Sequence, residues 1–214
     1  MNQLKLVAAL VALAAPITAQ AQETPNVSWG ALATTNYIYR GITYSSNRPA
    51  LQGYVTVTDG FIYGGAWAST VDIDGDYGEL DLTIGVTPEF GQLDVDISYT
   101  RYLYNRSGDC CGEIGLGLGY PVGGAVDVAG AVFWDPENDS TWTEAGLIGT
   151  VYEDFEVGGT IGSDFGSGDY GDEDQVAWDL GVSYGFLENG NVDVRYYQST
   201  NMSARAVLSV GFDF

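Results

Sequence analysis

The residues able to do chemistry in this chain are carboxylates set at every second position. Glu79, Asp81 and Thr83 alternate with Leu80, Leu82, Ile84 and Val86, and Asp94, Asp96, Ser98 and Thr100 alternate with Leu93, Val95, Ile97 and Tyr99. Successive side chains of a strand point to opposite faces, so each stretch is a ribbon with one acidic and one apolar face. The same parity turns Glu113, Asp127, Glu156, Asp179 and Asp193 to the polar face, where Arg40, Arg195 and Arg205 are the basic candidates. An enclosed acidic surface concentrates cations and repels anions. Two arrangements stay open. In one the carboxylates line a water-filled passage, with Arg40 and Arg195 at its constriction. In the other they bridge to the arginines, share protons or hydrogen-bond Ser and Tyr, and plug a narrow barrel.

Catalysis finds little support in the same residues. The chain has no histidine, which removes Ser-His-Asp and Cys-His catalysis and His-ligated zinc. Its acids are spread over many strands and offer no distinguishable hydrolytic pair, so neither an enzyme nor a cofactor is expected. Asp72-Ile73-Asp74-Gly75-Asp76-Tyr77 resembles the opening of an EF-hand loop, but Tyr77 stands where the turn glycine belongs and Thr83 where the closing Glu belongs. It reads as an ordinary acidic loop. Asp164, Asp169, Asp172, Glu173 and Asp174 form a second acidic cluster, read as solvated charge, with weak divalent-cation bridging to lipopolysaccharide as the alternative. No metal site is assigned. Adjacent Cys110 and Cys111 can form a vicinal bridge in an oxidising compartment.

The elements that must carry these side chains are strands. Glycine (30), tyrosine (15), phenylalanine (8) and tryptophan (5) are abundant, and the chain has a single lysine, Lys5. This composition favours strands and tight turns over helices. Period-two patterning broken by turn signals gives about twelve strands, the first expected over Val27–Arg40 and the last over Ala204–Phe214. Their connections alternate in length. The short ones are Asp59-Gly60, 88–91, 121–124, Glu153-Asp154 and 187–190; the long ones are 41–48, 72–78, 105–112, 136–140, 164–174 and 200–203. That alternation is what an even-stranded barrel with both termini on the periplasmic side requires. Aromatics gather in two rows near the expected strand ends. Tyr37, Tyr39, Tyr102, Tyr104, Trp134, Trp142 and Trp178 lie toward the long loops, and Phe61, Tyr63, Tyr120, Tyr152, Phe155, Phe186, Phe212 and Phe214 toward the short turns. The fold expected is therefore all-β: a closed, up-and-down antiparallel transmembrane barrel over residues 22–214.

The ends agree with export. Met1–Ala21 reads as a signal peptide, with Lys5, the apolar run Leu6–Ala15 and the small-x-small site Ala19-Gln20-Ala21. Its removal leaves six arginines against 29 acids, a net charge of −23, which argues against nucleic acid as a partner. The strand ending on Phe214 suits recognition by the barrel assembly machinery.

Three segments carry a family resemblance. Thr35-Asn36-Tyr37-Ile38-Tyr39-Arg40-Gly41-Ile42-Thr43, Arg48-Pro49-Ala50-Leu51-Gln52-Gly53 and Gly64-Gly65-Ala66-Trp67-Ala68-Ser69-Thr70-Val71-Asp72 resemble the TorF family of predicted porins, also called the Gcw_chp family. The shared features are a Tyr-x-x-Arg-Gly end to the first strand, a Pro-Ala-x-Gln-Gly start to the second, and Gly-x-Trp-Ala-Ser in the third. The following acidic pair, Glu79 and Asp81, matches too. The resemblance implies an outer-membrane channel of undefined substrate. The expectation is thus a cation-preferring channel for small hydrophilic solutes, embedded in outer-membrane lipid and lipopolysaccharide. A non-conducting structural or adhesin-type barrel with acidic loops is the alternative.

Overall fold

The computed structural model describes residues 25–166 and 175–214. The expected leader Met1–Ala21, and Asp169, Asp172, Glu173 and Asp174, lie outside the described residues. Twelve long strands build the wall: β1 (Asn26–Thr34), β4 (Ala50–Asp59), β5 (Ile62–Ile73), β6 (Asp76–Val86), β8 (Leu93–Tyr104), β9 (Gly108–Val122), β10 (Val126–Asp135), β11 (Ser140–Tyr152), β12 (Phe155–Gly166), β13 (Val176–Phe186), β14 (Gly190–Ser199) and β15 (Arg205–Asp213). Three two-residue strands, β2 (Ile38–Tyr39), β3 (Ile42–Thr43) and β7 (Glu89–Phe90), sit in connections. Each wall strand pairs antiparallel with its chain neighbours, β6 pairs with β8 across β7, and β1 pairs with β15. The ring is closed. It is the up-and-down barrel of about twelve strands expected from the patterning.

Alternation decides which face looks outward. Leu80, Leu82 and Ile84 are exposed on the outer surface while Glu79 and Asp81 are buried within, and Ile97 and Tyr99 stand outside while Asp96 is buried. On the last strand Leu208, Val210 and Phe212 face out, and Val207, the one apolar residue of the opposite parity, is buried inside. The two chain ends meet at one rim, where the Trp29 amide donates to the Phe214 carbonyl at 2.9 Å and their rings stack 4.3 Å apart.

Three expectations need correction. The first strand ends at Thr34, not Arg40. Beyond Thr34 the polar side chains take over the backbone's hydrogen bonds: Thr34 Oγ1 donates to the Asn36 carbonyl, the Tyr37 amide donates to Ser45 Oγ, and Thr43 and Ser45 both donate to Asn36 Oδ1. Such local bonds compete with a ladder and turn the chain out of the wall.

Second, two of the expected long loops are mostly strand. The segment 72–78 is a hairpin in which Ile73 pairs with Asp76, with Asp74 and Gly75 both at positive φ, the Asp-Gly signature of a type I′ turn. The segment 105–112 is taken up largely by β9, which begins at Gly108. The length alternation in the sequence records strands that rise higher at the loop end.

Third, the aromatic row assigned to the loop-end rim divides. Trp134 and Trp178 face outward, but Tyr37 and Trp142 are buried inside the barrel. At the terminal end Tyr63 likewise turns inward, donating to Asp96 at 2.9 Å.

The facing assignment is directly testable. Leu82→Arg, near the middle of β6 on the outer face, should destabilise the folded barrel by about 2–4 kcal/mol if that face meets hydrocarbon at the bilayer centre. Urea unfolding in lipid vesicles measures it. Thr83→Arg, one residue on and inward, should escape most of that cost.

Candidate functional site

The interior is divided by the connection between β1 and β4. Residues 35–49 do not stand above the rim but fold into the barrel mouth and cross it. At the far side Gly41 lies against β13 and β14, where Ser199 Oγ donates to the Gly41 carbonyl at 2.8 Å and Gln175 Nε2 to the Arg40 carbonyl at 3.0 Å. Gly41 is required there: its φ is +78°, and a Cβ would fall 2.5 Å from Ser199 Cβ and 2.7 Å from Ala177 Cβ. Only glycine combines that backbone with that approach.

Arg40, beside the crossing point, grips the wall. Its guanidinium engages Glu113 of β9 with both ends, at 2.5 and 2.9 Å, and Tyr102 donates to the same carboxylate at 2.8 Å. The guanidinium also lies 4.7 Å from the ring centre of Tyr39, 4.9 Å from Phe133 and 5.5 Å from Trp142, a geometry that favours a cation over aromatic faces. The Trp142 ring reaches this position because Gly162 leaves room. A Cβ there would sit 2.4 Å from the indole.

The structure places the sequence-derived candidates as follows. Glu79, Asp81, Asp96, Glu113 and Arg195 are buried inside, and Arg40 is enclosed with Glu113. Asp179 and Asp193 share Arg195, which bonds Asp179 and also approaches Asp193 at 3.1 Å. Asp127 is half-buried, and Asp94 is exposed although its parity is inward. Asp94 is the second residue of β8, at the terminal end, opposite Glu89 of β7. Arg205 is half-buried at the loop-end rim, bonded to Asn47 Oδ1 at 2.8 Å. The bridging arrangement is realised for some of these carboxylates. The two interior arginines bridge carboxylates, while Glu79, Asp81, Asp96, Asp127 and Glu144 make no ion pair among the described residues.

Glu144 was not anticipated. It lies on the inner face of β11 and accepts from Trp142 Nε1 at 2.8 Å. Buried Trp142 and Ile148 share that inner face, so its polarity does not stand out in the sequence. The inward loop also escaped notice. Its only sequence sign is density: Tyr37, Tyr39, Arg40 and Tyr44 crowd a connection whose counterparts at that end are mainly acids, glycine and serine.

Of the two acidic segments, only 72–77 lies wholly within the described residues; of the second, Asp164 is not solvated but buried, accepting from the Gln175 amide. Among the described residues no group of three or more His, Cys, Asp or Glu is arranged as a ligand set. Asp72 pairs with Arg48 at 2.8 Å, and Asp76 receives the Arg106 amide at 2.6 Å together with the Ser107 hydroxyl. Cys110 and Cys111 are joined as a vicinal disulfide.

A closed antiparallel ring with an apolar exterior and a carboxylate-rich interior is a porin-like transmembrane β-barrel. The sequence matches, over residues 18–212, the family described as "Bacterial protein of unknown function (Gcw_chp)", and the chain belongs to that family. No curated protein sequence matches it. Among solved structures, the chain is similar to the KdgM porin, with a TM-score of 0.66 at 10% identity, covering 87% of this chain and 99% of that one. The KdgM porin in complex with disordered oligogalacturonate gives 0.64 at 9% identity, covering 89% and 99%. The NanC porin gives 0.55 at 8% identity, covering 87% and 97%. At such identities the likeness is one of fold.

Asp76 generates a pH prediction. It sits at the loop-end hairpin, beyond the membrane-crossing part of β6, and the Ser107 hydroxyl, with the Arg106 and Ser107 amides, holds its carboxyl below the ordinary aspartate value. A group lowered in the folded state contributes fully above its unfolded value and loses that contribution as pH falls through the lowered one. The link between the 74–75 and 105–107 turns should therefore persist at mildly acid pH and loosen only below the ordinary aspartate range. Amide chemical shifts of Arg106 and Ser107 report it, and Asp76→Asn should abolish the transition.

Proposed function

We propose that this chain is a narrow, cation-preferring diffusion channel of the bacterial outer membrane that admits small hydrophilic solutes. One observation carries the reading. Inside the barrel, carboxylates outnumber guanidiniums, and both interior guanidiniums are already committed, Arg40 to Glu113 and Arg195 to Asp179 and Asp193. Carboxylates without an arginine partner run the length of the interior, from Glu79 and Asp81 near the loops to Asp96, Asp127 and Asp94 near the termini, and in this reading they supply a negative field. A low-dielectric wall focuses such a field, enriching cations and excluding anions. The solved complex of KdgM with oligogalacturonate holds an acidic saccharide. An acid-lined lumen repels such a polyanion, so polyanionic sugars are poor candidates for the cargo of this channel.

In this reading the chain termini and short turns face the periplasm, and the apolar exterior meets outer-membrane lipid. The loop end meets lipopolysaccharide, and the terminal strand with Phe214 engages the assembly machinery after a leader is removed. The crossing of residues 35–49 favours a second reading, a non-conducting barrel closed at its mouth. The two differ in a planar bilayer. The channel reading expects discrete conductance steps and a reversal potential favouring cations under a salt gradient. An absence of steps, or anion preference, rejects it.

Two variants sharpen the test. Asp94→Asn together with Asp96→Asn should shift the reversal potential toward zero, and an unchanged value would remove these side chains from the ion path. Arg40→Ala frees the loop from Glu113 and should raise single-channel conductance. Lower conductance would mean that the loop does not set the constriction.

A further inference from the structure

Glu113, Glu144, Asp96, Asp179 and Asp193 each accept a hydrogen bond from a named neighbour: Arg40 and Tyr102, Trp142, Tyr63, and Arg195 for the last two. Asp81 does not. It is 5% exposed, its Oδ1 is shut off from solvent with no hydrogen-bond partner, and no arginine pairs with it. Two residues earlier on the same face, Glu79 has one oxygen bonded by Tyr104 at 2.7 Å and the other, Oε2, likewise without a partner. Buried acceptors are almost always satisfied, and each exception needs an explanation, a bound water or ion among them.

Register shows what surrounds Asp81. On β5 its direct partner is Trp67, and on β8 it is Tyr102, so an indole and a phenol flank the carboxylate on one face. This row opens on a cavity of about 90 Å³, also lined by Tyr39, Ser98 and Thr100. At roughly 10–15 Å³ per water on this measure, the space holds several waters or a small solute. Its lining combines a carboxylate with aromatic rings, the chemistry of a cation seat. The chamber already houses one such cation, since the Arg40 guanidinium lies over Tyr39, Phe133 and Trp142.

We propose that Asp81, with Trp67 and Tyr102, forms a binding subsite for a small organic cation bearing N–H donors, of the guanidinium or primary ammonium class. The N–H groups satisfy the orphaned carboxylate oxygen, and the planar or alkyl body lies between the rings. A divalent metal fits less well, because among the described residues no set of three ligating side chains converges there. The subsite deepens the channel reading by naming a class of cation that the lumen retains as it passes, and it rests on that reading for its biological meaning.

Binding can be measured without conduction. Methylguanidinium chloride is titrated calorimetrically into the full-length folded barrel in detergent, with sodium chloride at equal ionic strength as the blank and tetramethylammonium as a cation lacking N–H. Saturable one-to-one binding is expected, at least about tenfold weaker for tetramethylammonium and for Asp81→Asn, the loss of one charge-assisted contact. Trp67→Leu, which leaves the carboxylate in place, should weaken binding as well, and heat-modifiable gel mobility verifies that each variant is folded. No saturable heat beyond the sodium blank, equal affinity in Asp81→Asn, or equal binding of tetramethylammonium overturns the subsite. Bilayer conductance is read separately. Binding without conduction rejects the channel and keeps the subsite, whereas conduction without binding rejects the subsite alone.

Discussion

Closure of the hydrogen-bonded ring is the constraint on which everything else in this molecule depends. Hydrocarbon offers no partner to a backbone amide or carbonyl, so a sheet that crosses it must have no edge. Two seams meet that demand. At one, β6 pairs with β8 through eight residue pairs from Glu79–Tyr104 to Val86–Ile97, stepping over the small β7 hairpin. At the other, β1 and β15 join the ends of the chain, extended by the reciprocal bonds between Trp29 and Phe214. Once the ring closes, inside and outside become distinct solvents, and strict alternation delivers one set of side chains to each.

Closure also explains how so many acids coexist in one small protein. Separated from lipid by the wall, the carboxylates need only water or a donor from across the lumen. Tyrosines supply many of those donors: Tyr54 to Asp213, Tyr63 to Asp96, Tyr102 to Glu113 and Tyr104 to Glu79. The arginines supply others, Arg40 to Glu113 and Arg195 to Asp179 and Asp193. Arg195 holds the β13–β14 wall, and Arg40 holds the loop that crosses the mouth. A buried ion pair gains little net stability because both partners are desolvated. Its value here is geometric, since together with the Ser199 and Gln175 bonds it sets where the connection lies across the barrel mouth.

Much of this was legible in the residues. Period-two patterning from Glu79 to Val86 and from Leu93 to Thr100 assigned the inner and outer faces of β6 and β8 correctly. The Asp-Gly pairs at 59–60 and 74–75 marked hairpins, although the second had been absorbed into a longer loop. Aromatic positions were less informative. A ring near a strand end can anchor at a headgroup or fill a lumen, and parity near that end is unreliable once a strand stops early, as β1 does at Thr34. Glu144 went unnoticed because Trp142 and Ile148 share its face, which breaks the polar pattern on which the assignment relied.

What the sequence determined alone is the alternation through the middle of strands such as β6 and β8, where the outward side chains are apolar and the inward ones largely acidic. It is a local consequence of extended backbone geometry and needs no partner strand. What only the tertiary structure decided is which lumenal groups meet. Arg40 and Glu113 are 73 residues apart and Gly41 and Ser199 are 158 apart, so their contacts exist only after the ring has closed and the loop has folded across it. The same closure leaves Asp81 between Trp67 and Tyr102 without a donor, because a residue's cross-strand neighbours are set by register, and register belongs to the assembled sheet.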